Sequence, residues 1–285
     1  MILVTGANGN LGSQTIDFLL DKNINEDIAG LVRNEEKGAE LKEKGVEIRI
    51  GDYTDYPSIE EAVQGVNTLL LISSSTLEGR AQQHNNVIEA AKKGGVQQIF
   101  YTSIVKAEEE LSPLSPDHAK TEKLIKESGI PYTIYRNAFY MEFLPLFLGE
   151  AMDTGQWAFP SDGNPINLAL RSEMAEALAN GLADTEKHAN SIYEITSNQA
   201  YTLDEIASML SKASGKEINH TDISASEFEQ GLNEAGLPEE QVAMSVMTAQ
   251  TFVNGGLDFT FDDMEKLLGR KPTGLKTFIK QFVEQ

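Results

Sequence analysis

Short apolar runs alternate with helical patterns through residues 1–135 of the chain. Runs of aliphatic residues predict strands, whereas apolar positions three or four apart predict amphipathic helices. Strands that alternate with helices form parallel sheets, because parallel neighbours need a crossover connection. We therefore expect an α/β fold with a Rossmann-type, doubly wound parallel sheet. The predicted strands are 2–4, 28–32, 47–50, 68–72, 98–102 and 132–135, and the predicted helices are 10–20, 35–43, 58–63, 81–93 and 116–127.

The alternation weakens after Arg136, where glycine and proline become frequent. This change predicts two domains, residues 1–150 with the sheet and residues 151–285 as a smaller, mixed region suited to holding a substrate. A strand near 191–196 is expected to return to the main sheet. Helices are predicted at 203–213 and 225–235.

The composition narrows the range of partners. The 285 residues carry a net charge of −21 and no cysteine. Such an acidic chain is not expected to bind nucleic acid or anionic membranes, because phosphate groups attract clusters of Lys and Arg. Disulfides and thiolate sites are excluded, and the four histidines are too scattered to predict a metal site. With no secretory pattern and no apolar stretch of bilayer length, a cytoplasmic protein is expected.

A glycine-rich segment follows the first predicted strand and opens the first predicted helix. Its glycines Gly6, Gly9 and Gly12 have the spacing G-x-x-G-x-x-G. In a dinucleotide-binding turn, these positions allow the tight turn, the approach of the pyrophosphate and close packing of helix on strand. The alternative is a plain strand–helix turn. The position within a βαβ unit favours dinucleotide binding by Gly6, Ala7, Asn8, Gly9, Asn10 and Leu11.

The residue at the end of the second strand indicates which dinucleotide is bound. An enzyme that uses NAD usually has an acidic residue here, but this chain has Arg33. A guanidinium group can bind a 2′-phosphate bidentately and stack on adenine, and Lys37 adds a second positive charge. The sequence thus favours NADP(H). The alternative is that Arg33 is a solvated surface residue beside two glutamates.

Polar residues also follow the third and fourth strands. Asp52 is positioned to accept a hydrogen bond from the adenine amino group, and Ser73, Ser74 and Ser75 to line the ribose and nicotinamide side. The alternative is that Asp52 starts an Asx-type turn and that the serines only fill a loop. The residues alone leave both interpretations open.

Several segments together resemble the NmrA-like family of atypical short-chain dehydrogenases. They are TGANGNLG at 5–12, LVRN-x-x-K at 31–37, GDY at 51–53, LLLISSS at 69–75, YTS at 101–103 and the stretch 135–142. Within the family the chain is similar to the bacterial type-2 NADPH:quinone oxidoreductases and the triphenylmethane reductases. The resemblance implies that NADP contacts residues 6–11, 33 and 73–75. It also implies contacts beside the nicotinamide from Asn137, Ala138, Phe139, Tyr140, Met141 and Glu142.

The proton donor of ordinary short-chain dehydrogenases is missing. Those enzymes use Tyr-x-x-x-Lys, and none of the eight tyrosines here has Lys four residues later. Reduction of a carbonyl to an alcohol is therefore not expected. A quinone suits the chain better, because aromatisation of the product helps hydride transfer and water or a weakly perturbed group can deliver the proton.

The predicted catalytic residues are His118, Asn137 and Tyr140. His118 is the candidate proton donor, near a helix start whose dipole favours neutral imidazole. The alternative is a surface position. Phe139, Tyr140 and Trp157 are candidates for an apolar wall against a flat substrate, and a core role is the alternative for these aromatic residues.

We expect an NADPH-dependent oxidoreductase that passes hydride directly to a quinone or similar planar acceptor without flavin. The alternative is an NmrA-like redox sensor that binds NADP(H) and acts through a protein partner. A sugar-nucleotide epimerase is disfavoured by the missing Tyr-x-x-x-Lys pair. A homodimer is a further expectation.

Overall fold

The computed structural model describes residues 1–284. Its strands are β1 (Ile2–Val4), β2 (Ile28–Val32), β3 (Glu47–Ile50), β4 (Thr68–Leu71), β5 (Gln98–Ile104), β6 (Tyr132–Asn137), β7 (Phe139–Tyr140), β8 (Gln156–Ala158), β9 (Leu168–Ala169), β10 (Ser191–Ile195) and β11 (Asn219–Thr221). Its α-helices are α1 (Asn10–Asp21), α2 (Ala39–Glu43), α3 (Tyr56–Ala62), α4 (Arg80–Gly94), α5 (Ser115–Ser128), α6 (Leu144–Leu148), α7 (Ala151–Thr154), α8 (Arg171–Leu182), α9 (Leu203–Ser214), α10 (Ala225–Glu234), α11 (Glu239–Val253), α12 (Asp263–Leu268) and α13 (Leu275–Val283).

The main sheet has the strand order β10-β6-β5-β4-β1-β2-β3. Strands β1 to β6 pair in parallel, with β2 on one side of β1 and β4 on the other. The chain therefore reverses its direction of winding at β1, and a crevice opens at the carboxyl ends of β1 and β4. The predicted Rossmann-type, doubly wound sheet is confirmed.

Two strands extend beyond their predicted ends. β5 continues to Ile104 and β6 to Asn137, and every residue of β5 is buried. The prediction for β5 stops before Ser103, a polar residue that does not continue the apolar run. Ser103 satisfies its hydroxyl inside the protein by donating a hydrogen bond of 2.7 Å to Glu122. Polar residues can thus occupy a buried strand when a partner is at hand.

The chain forms two compact units, each assembled from several segments. Unit 1 contains residues 1–104, 117–137 and 172–193, and unit 2 contains 105–116, 138–171 and the chain from 194 onward. The division by sequence at residue 150 differs from this arrangement, because most of α8 and the start of β10 return to unit 1. β10 lies at the edge of the main sheet beside β6.

Unit 2 has an aromatic core. The ring centroids of Phe147 and Phe159 each lie 5.2 Å from that of Phe252. Trp157 is only 1% exposed, and its indole N–H donates to the Phe147 carbonyl at 2.8 Å. Trp157 therefore stabilises the core of unit 2, and the prediction that it presents a stacking wall to a substrate is wrong.

Among residues 1–284, no helix combines the length and the apolar character needed to cross a membrane.

A buried ion pair joins α5 to β6 in unit 1. Arg136 donates two hydrogen bonds to Glu122, 2.9 Å from Nε to Oε1 and 2.8 Å to Oε2. The two side chains are 8% and 3% exposed. Losing one partner of such a pair leaves an uncompensated charge away from water, which costs more than the pair itself contributes.

We predict that Glu122→Gln lowers the free energy of unfolding by about 3 to 5 kcal/mol, the range for breaking a buried pair. Glu127→Gln is the control, since Glu127 pairs with Lys123 at 3.8 Å on an exposed face of the same helix. That change should cost less than about 0.5 kcal/mol. Urea denaturation of both variants measures the difference, and equal stabilities would contradict the prediction.

Candidate functional site

The turn between β1 and α1 requires glycine at two positions. Gly6 has φ of +57°, a left-handed conformation that residues with a Cβ adopt at a cost. A Cβ on Gly12 would overlap the Gly6 carbonyl oxygen. That oxygen also accepts a hydrogen bond of 2.9 Å from the Gly9 N–H. The turn is therefore tight, and α1 starts close against the end of β1.

The N-terminus of α1 is suited to an anion. Gly9 precedes the helix and has no side chain to cap it, and the first turn contains no acidic residue. Ser13 donates to the Gly9 carbonyl, whereas the N–H groups that begin a helix have no partner within it. Such N–H groups and the helix dipole favour a phosphate group. The turn thus fits the pyrophosphate of a dinucleotide.

A cavity of about 520 Å³ lies beside this turn at the carboxyl ends of β1, β2 and β4. Nine of the predicted cofactor-binding residues line it together: Gly6, Asn8, Gly9, Arg33, Lys37, Asp52, Ser73, Ser74 and Ser75. Three neighbours lie outside its lining. Ala7 is completely buried beneath the turn, and Asn10 and Leu11 belong to the first turn of α1.

The cavity has positive charge where β2 ends. The Arg33 side chain is 65% exposed and has its Nε 3.7 Å from a carboxylate oxygen of Asp52. Lys37 lines the same cavity, and its backbone N–H is held by the Asn34 side chain at 3.0 Å. Two cations and one carboxylate therefore converge, which leaves net positive charge for a phosphate group.

Asp52 is held in a turn of its own. One carboxylate oxygen accepts hydrogen bonds from the Thr54 N–H at 2.8 Å and the Thr54 hydroxyl at 2.7 Å. The Thr54 hydroxyl, its N–H and then the Arg33 charge lower the pKa of Asp52, against partial burial. The Asx-type turn is therefore present, and Asp52 lines the cavity as well. Contact with adenine stays a prediction.

The three serines after β4 form a loop with several hydrogen bonds. Ser73 donates its N–H to the Thr102 hydroxyl at 2.9 Å. Ser74 donates its N–H to Nε2 of His84 at 2.9 Å and its hydroxyl to Gln83 at 2.7 Å. These partners lie on β5 and α4. The loop has a defined conformation and is more than a filler between the two elements.

His118 is buried, so a surface position is excluded. It is 7% exposed, and its Nδ1 lies 2.8 Å from the hydroxyl of Tyr101. Burial, and then the charge of Arg80, lower the pKa of His118 to about 3. The imidazole is therefore neutral at pH 7. It does not line the cavity beside the glycine turn, and its assisting role in catalysis stays a prediction.

Asn137 ends β6 in unit 1, and its side chain is buried with one polar atom unpaired in the described part of the chain. It is 7% exposed, and its Oδ1 atom is buried without a hydrogen-bond partner among residues 1–284. Buried amide oxygens are nearly always paired, so this oxygen is free to accept a hydrogen bond from a ligand or from an ordered water. Asn137 lies outside the lining of the cavity beside the glycine turn.

The stretch from Ala138 to Glu142 belongs to unit 2. Glu142 accepts hydrogen bonds of 3.2 Å from the N–H that starts α8 at Arg171. The Arg171 guanidinium lies 5.5 Å from the centre of the Tyr140 ring. Burial raises the pKa of Tyr140 to about 12, against the nearby Arg171 charge. Ala138 and Met141 are buried, and Phe139 packs toward Phe252.

Sequence patterns alone missed several residues of the site. The cavity is also lined by Leu31, Val32, Gly51, Tyr53, Thr54, Ile72, Thr76 and Gln83. Tyr53 carries a recognisable signal because it completes the motif GDY, and its hydroxyl lies 2.9 Å from the Ile72 carbonyl and close to Thr5. No sequence signal identifies Gln83, His84 or Arg171. Their contacts with Ser74 and Glu142 form only when the chain folds.

No group of three or more His, Asp or Glu suited to a metal ion occurs within residues 1–284.

The sheet, the switch point and the glycine turn define a dinucleotide-binding protein of the Rossmann type. The chain belongs to the NmrA-like family, whose model matches residues 1–279. It is 36% identical to quinone oxidoreductase 2 of Escherichia coli (strain K12), over 96% of both chains. The predicted family is confirmed.

Solved structures agree with this assignment. The E. coli NADPH-dependent quinone oxidoreductase in complex with NADPH has a TM-score of 0.94 at 35% identity, covering 99% of both chains. Citrobacter sp. triphenylmethane reductase in complex with NADP(H) has a TM-score of 0.92 at 38% identity, also covering 99% of both chains. The chain is accordingly an oxidoreductase, and the predicted enzyme class is confirmed.

We predict that Arg33→Ala weakens NADPH binding by about 1.5 to 3 kcal/mol, or roughly one to two decades in Kd, because a charge-assisted contact to phosphate is lost. NADH, which has no 2′-phosphate, should bind wild type and variant alike. Calorimetric titration measures both, with Lys42→Ala on the exposed face of α2 as the control. Equal affinities of wild type for NADPH and NADH would show that Arg33 does not select the cofactor.

Gly9→Val should abolish dinucleotide binding in a protein that still folds. A Cβ at this position lies 3.1 Å from the Gly6 carbonyl, and a branched side chain fills the space before the α1 N-terminus. Titration with NADPH tests binding, and circular dichroism tests the fold. Retained binding by the folded variant would mean that the turn is only structural.

Proposed function

We propose that the chain is an NADPH-dependent reductase that passes hydride directly to a quinone or similar planar acceptor without flavin. One observation carries this proposal: the glycine turn, Arg33 and Lys37 line one cavity at the switch point of the sheet. Such a cavity is built for a dinucleotide with a 2′-phosphate. The likeness to the E. coli quinone oxidoreductase with NADPH supports both the cofactor and the acceptor class.

The chain's own residues hold the cofactor. The N–H groups at the start of α1 bind the pyrophosphate, and Arg33 and Lys37 bind the 2′-phosphate. NADPH supplies the hydride when bound. Asn137, with its unpaired buried oxygen, accepts a hydrogen bond from an amide N–H of the ligand. Tyr140 belongs to unit 2, where its half-buried ring lies next to Arg171, and its role toward the flat acceptor stays a prediction.

Proton delivery needs little from the protein. His118 is neutral, and its Nδ1 faces the hydroxyl of Tyr101. Burial raises the pKa of the Tyr101 hydroxyl, so Tyr101 holds its proton more firmly than tyrosine in water. Neither group is a strong acid near pH 7. Hydride transfer turns the quinone into a hydroquinone anion, which needs one proton. Water or a weakly acidic group can supply it, so His118 has at most an assisting role.

Purified protein should oxidise NADPH in the presence of a simple benzoquinone, with no added flavin and a turnover number on the order of 1 to 1,000 per second. The visible spectrum of the purified protein serves as the flavin control. His118→Ala should slow turnover far less than the roughly 100-fold loss that removal of a general acid causes. NADPH consumption is followed by its absorbance, against a reaction without protein.

Two results would contradict this account. Complete loss of activity in a folded His118→Ala variant would show that the reaction depends on this acid. The second result would be no turnover with any quinone or dye, together with clearly different affinities for NADP⁺ and NADPH. It would show that the protein is a redox sensor and not an enzyme. A homodimer and a cytoplasmic location stay predictions.

A further inference from the structure

A buried histidine holds the loop formed by Ser73, Ser74 and Ser75, here called the serine loop. His84 lies on α4 and is completely buried. Its Nε2 accepts a hydrogen bond of 2.9 Å from the Ser74 N–H. Its Nδ1 lies 2.9 Å from the Thr121 hydroxyl on α5. His84 thus connects the wall of the cavity to two helices of unit 1.

The hydrogen bonds fix the protonation state of His84. A backbone N–H can only donate, so Nε2 must carry a lone pair and Nδ1 the single proton. The Thr121 hydroxyl then accepts from Nδ1 and donates onward to the Asp117 carbonyl at 2.8 Å. Every donor in this series of hydrogen bonds therefore has an acceptor. Burial, and then the charge of Arg80, lower the pKa of His84 to about 3, which keeps this arrangement at neutral pH.

The serine loop consequently turns its first two N–H groups away from the cavity. Ser74 donates to His84, and Ser73 donates to Thr102 at 2.9 Å. The carbonyl oxygens of residues 73, 74 and 75 accept no hydrogen bond from residues 1–284. The N–H groups of Ser73 and Ser74 are thus already used within the protein, whereas the backbone carbonyls of the loop remain available as acceptors. The turn before α1 lines the same cavity and offers backbone N–H donors, so the two segments present different backbone groups to a ligand.

We propose that His84 is a positioning residue for ligand binding: it draws the Ser74 N–H inward, so that the serine loop presents carbonyl oxygens to hydroxyl donors of a bound ribose. This inference rests on the proposed function, in which the ligand is NADPH. The loop follows β4, on the side of the switch point away from Arg33 at the end of β2. It therefore serves the ribose that is remote from the 2′-phosphate.

Two substitutions separate positioning from general stability. His84→Leu keeps the volume close and removes the acceptor for the Ser74 N–H. His84→Gln keeps an amide oxygen near the position of Nε2. Each variant is titrated with NADPH and with adenosine 2′,5′-bisphosphate, which has the 2′-phosphate but lacks the second ribose. Circular dichroism and thermal melting check that the variants fold.

We expect His84→Leu to weaken NADPH binding about tenfold, the effect of one hydrogen bond of about 1.4 kcal/mol. The bisphosphate should bind within about twofold of wild type, since its contacts lie at Arg33. His84→Gln should recover most of the NADPH affinity. In turnover, the KM for NADPH should rise in His84→Leu while kcat changes little, a split that a general loss of folded protein does not produce.

Each contrary outcome identifies what is wrong. Unchanged NADPH affinity in His84→Leu, or equal weakening of both ligands, overturns the positioning role. Failure of wild type to bind NADPH overturns the proposed function instead. Nitrogen NMR of wild-type protein keeps the proposal testable when a variant does not fold. It should show His84 protonated on Nδ1 only between pH 5 and 8, and a proton on Nε2 would overturn the inference.

Discussion

The backbone path from the end of β1 into α1 is the constraint on which the candidate site depends. β1 is entirely buried, and only five residues separate its end at Val4 from the start of α1 at Asn10. The left-handed Gly6 and the side-chain-free Gly12 allow this change of direction within a few residues. The helix then starts with unpaired N–H groups beside the crevice of the switch point. A substitution that widens the turn moves the anion site itself.

The rest of the cavity follows from which strands end beside this turn. Arg33 directly follows β2 on one side, and β4 leads into the serine loop on the other. The first side has positive charge, and the second is the serine loop, whose first two N–H groups are held by Thr102 and His84. A dinucleotide has complementary groups in the same order, from phosphate to ribose hydroxyls. The strand order thus determines which end of the cavity is positively charged and which end is formed by the serine loop.

The sequence predicted the sheet well because local patterns determine it. Apolar runs and the glycine spacing identified β1, β2 and β4, and Arg33 was found because it directly follows β2. Contacts between distant segments were not predictable in this way. The bond between His84 and Ser74 spans a loop, and the orphaned oxygen of Asn137 appears only when its neighbours are in place. The helix of His118 has a weak amphipathic pattern, so its sequence does not show that the fold buries this side chain.

The most direct test of the central claim is a crystal structure of the protein with NADPH bound. The account predicts the pyrophosphate at the N-terminus of α1 and the 2′-phosphate within hydrogen-bond distance of Arg33. It also predicts a ribose hydroxyl donating to a carbonyl of the serine loop. A nucleotide bound elsewhere, or one whose 2′-phosphate points away from Arg33 and Lys37 into solvent, would contradict it.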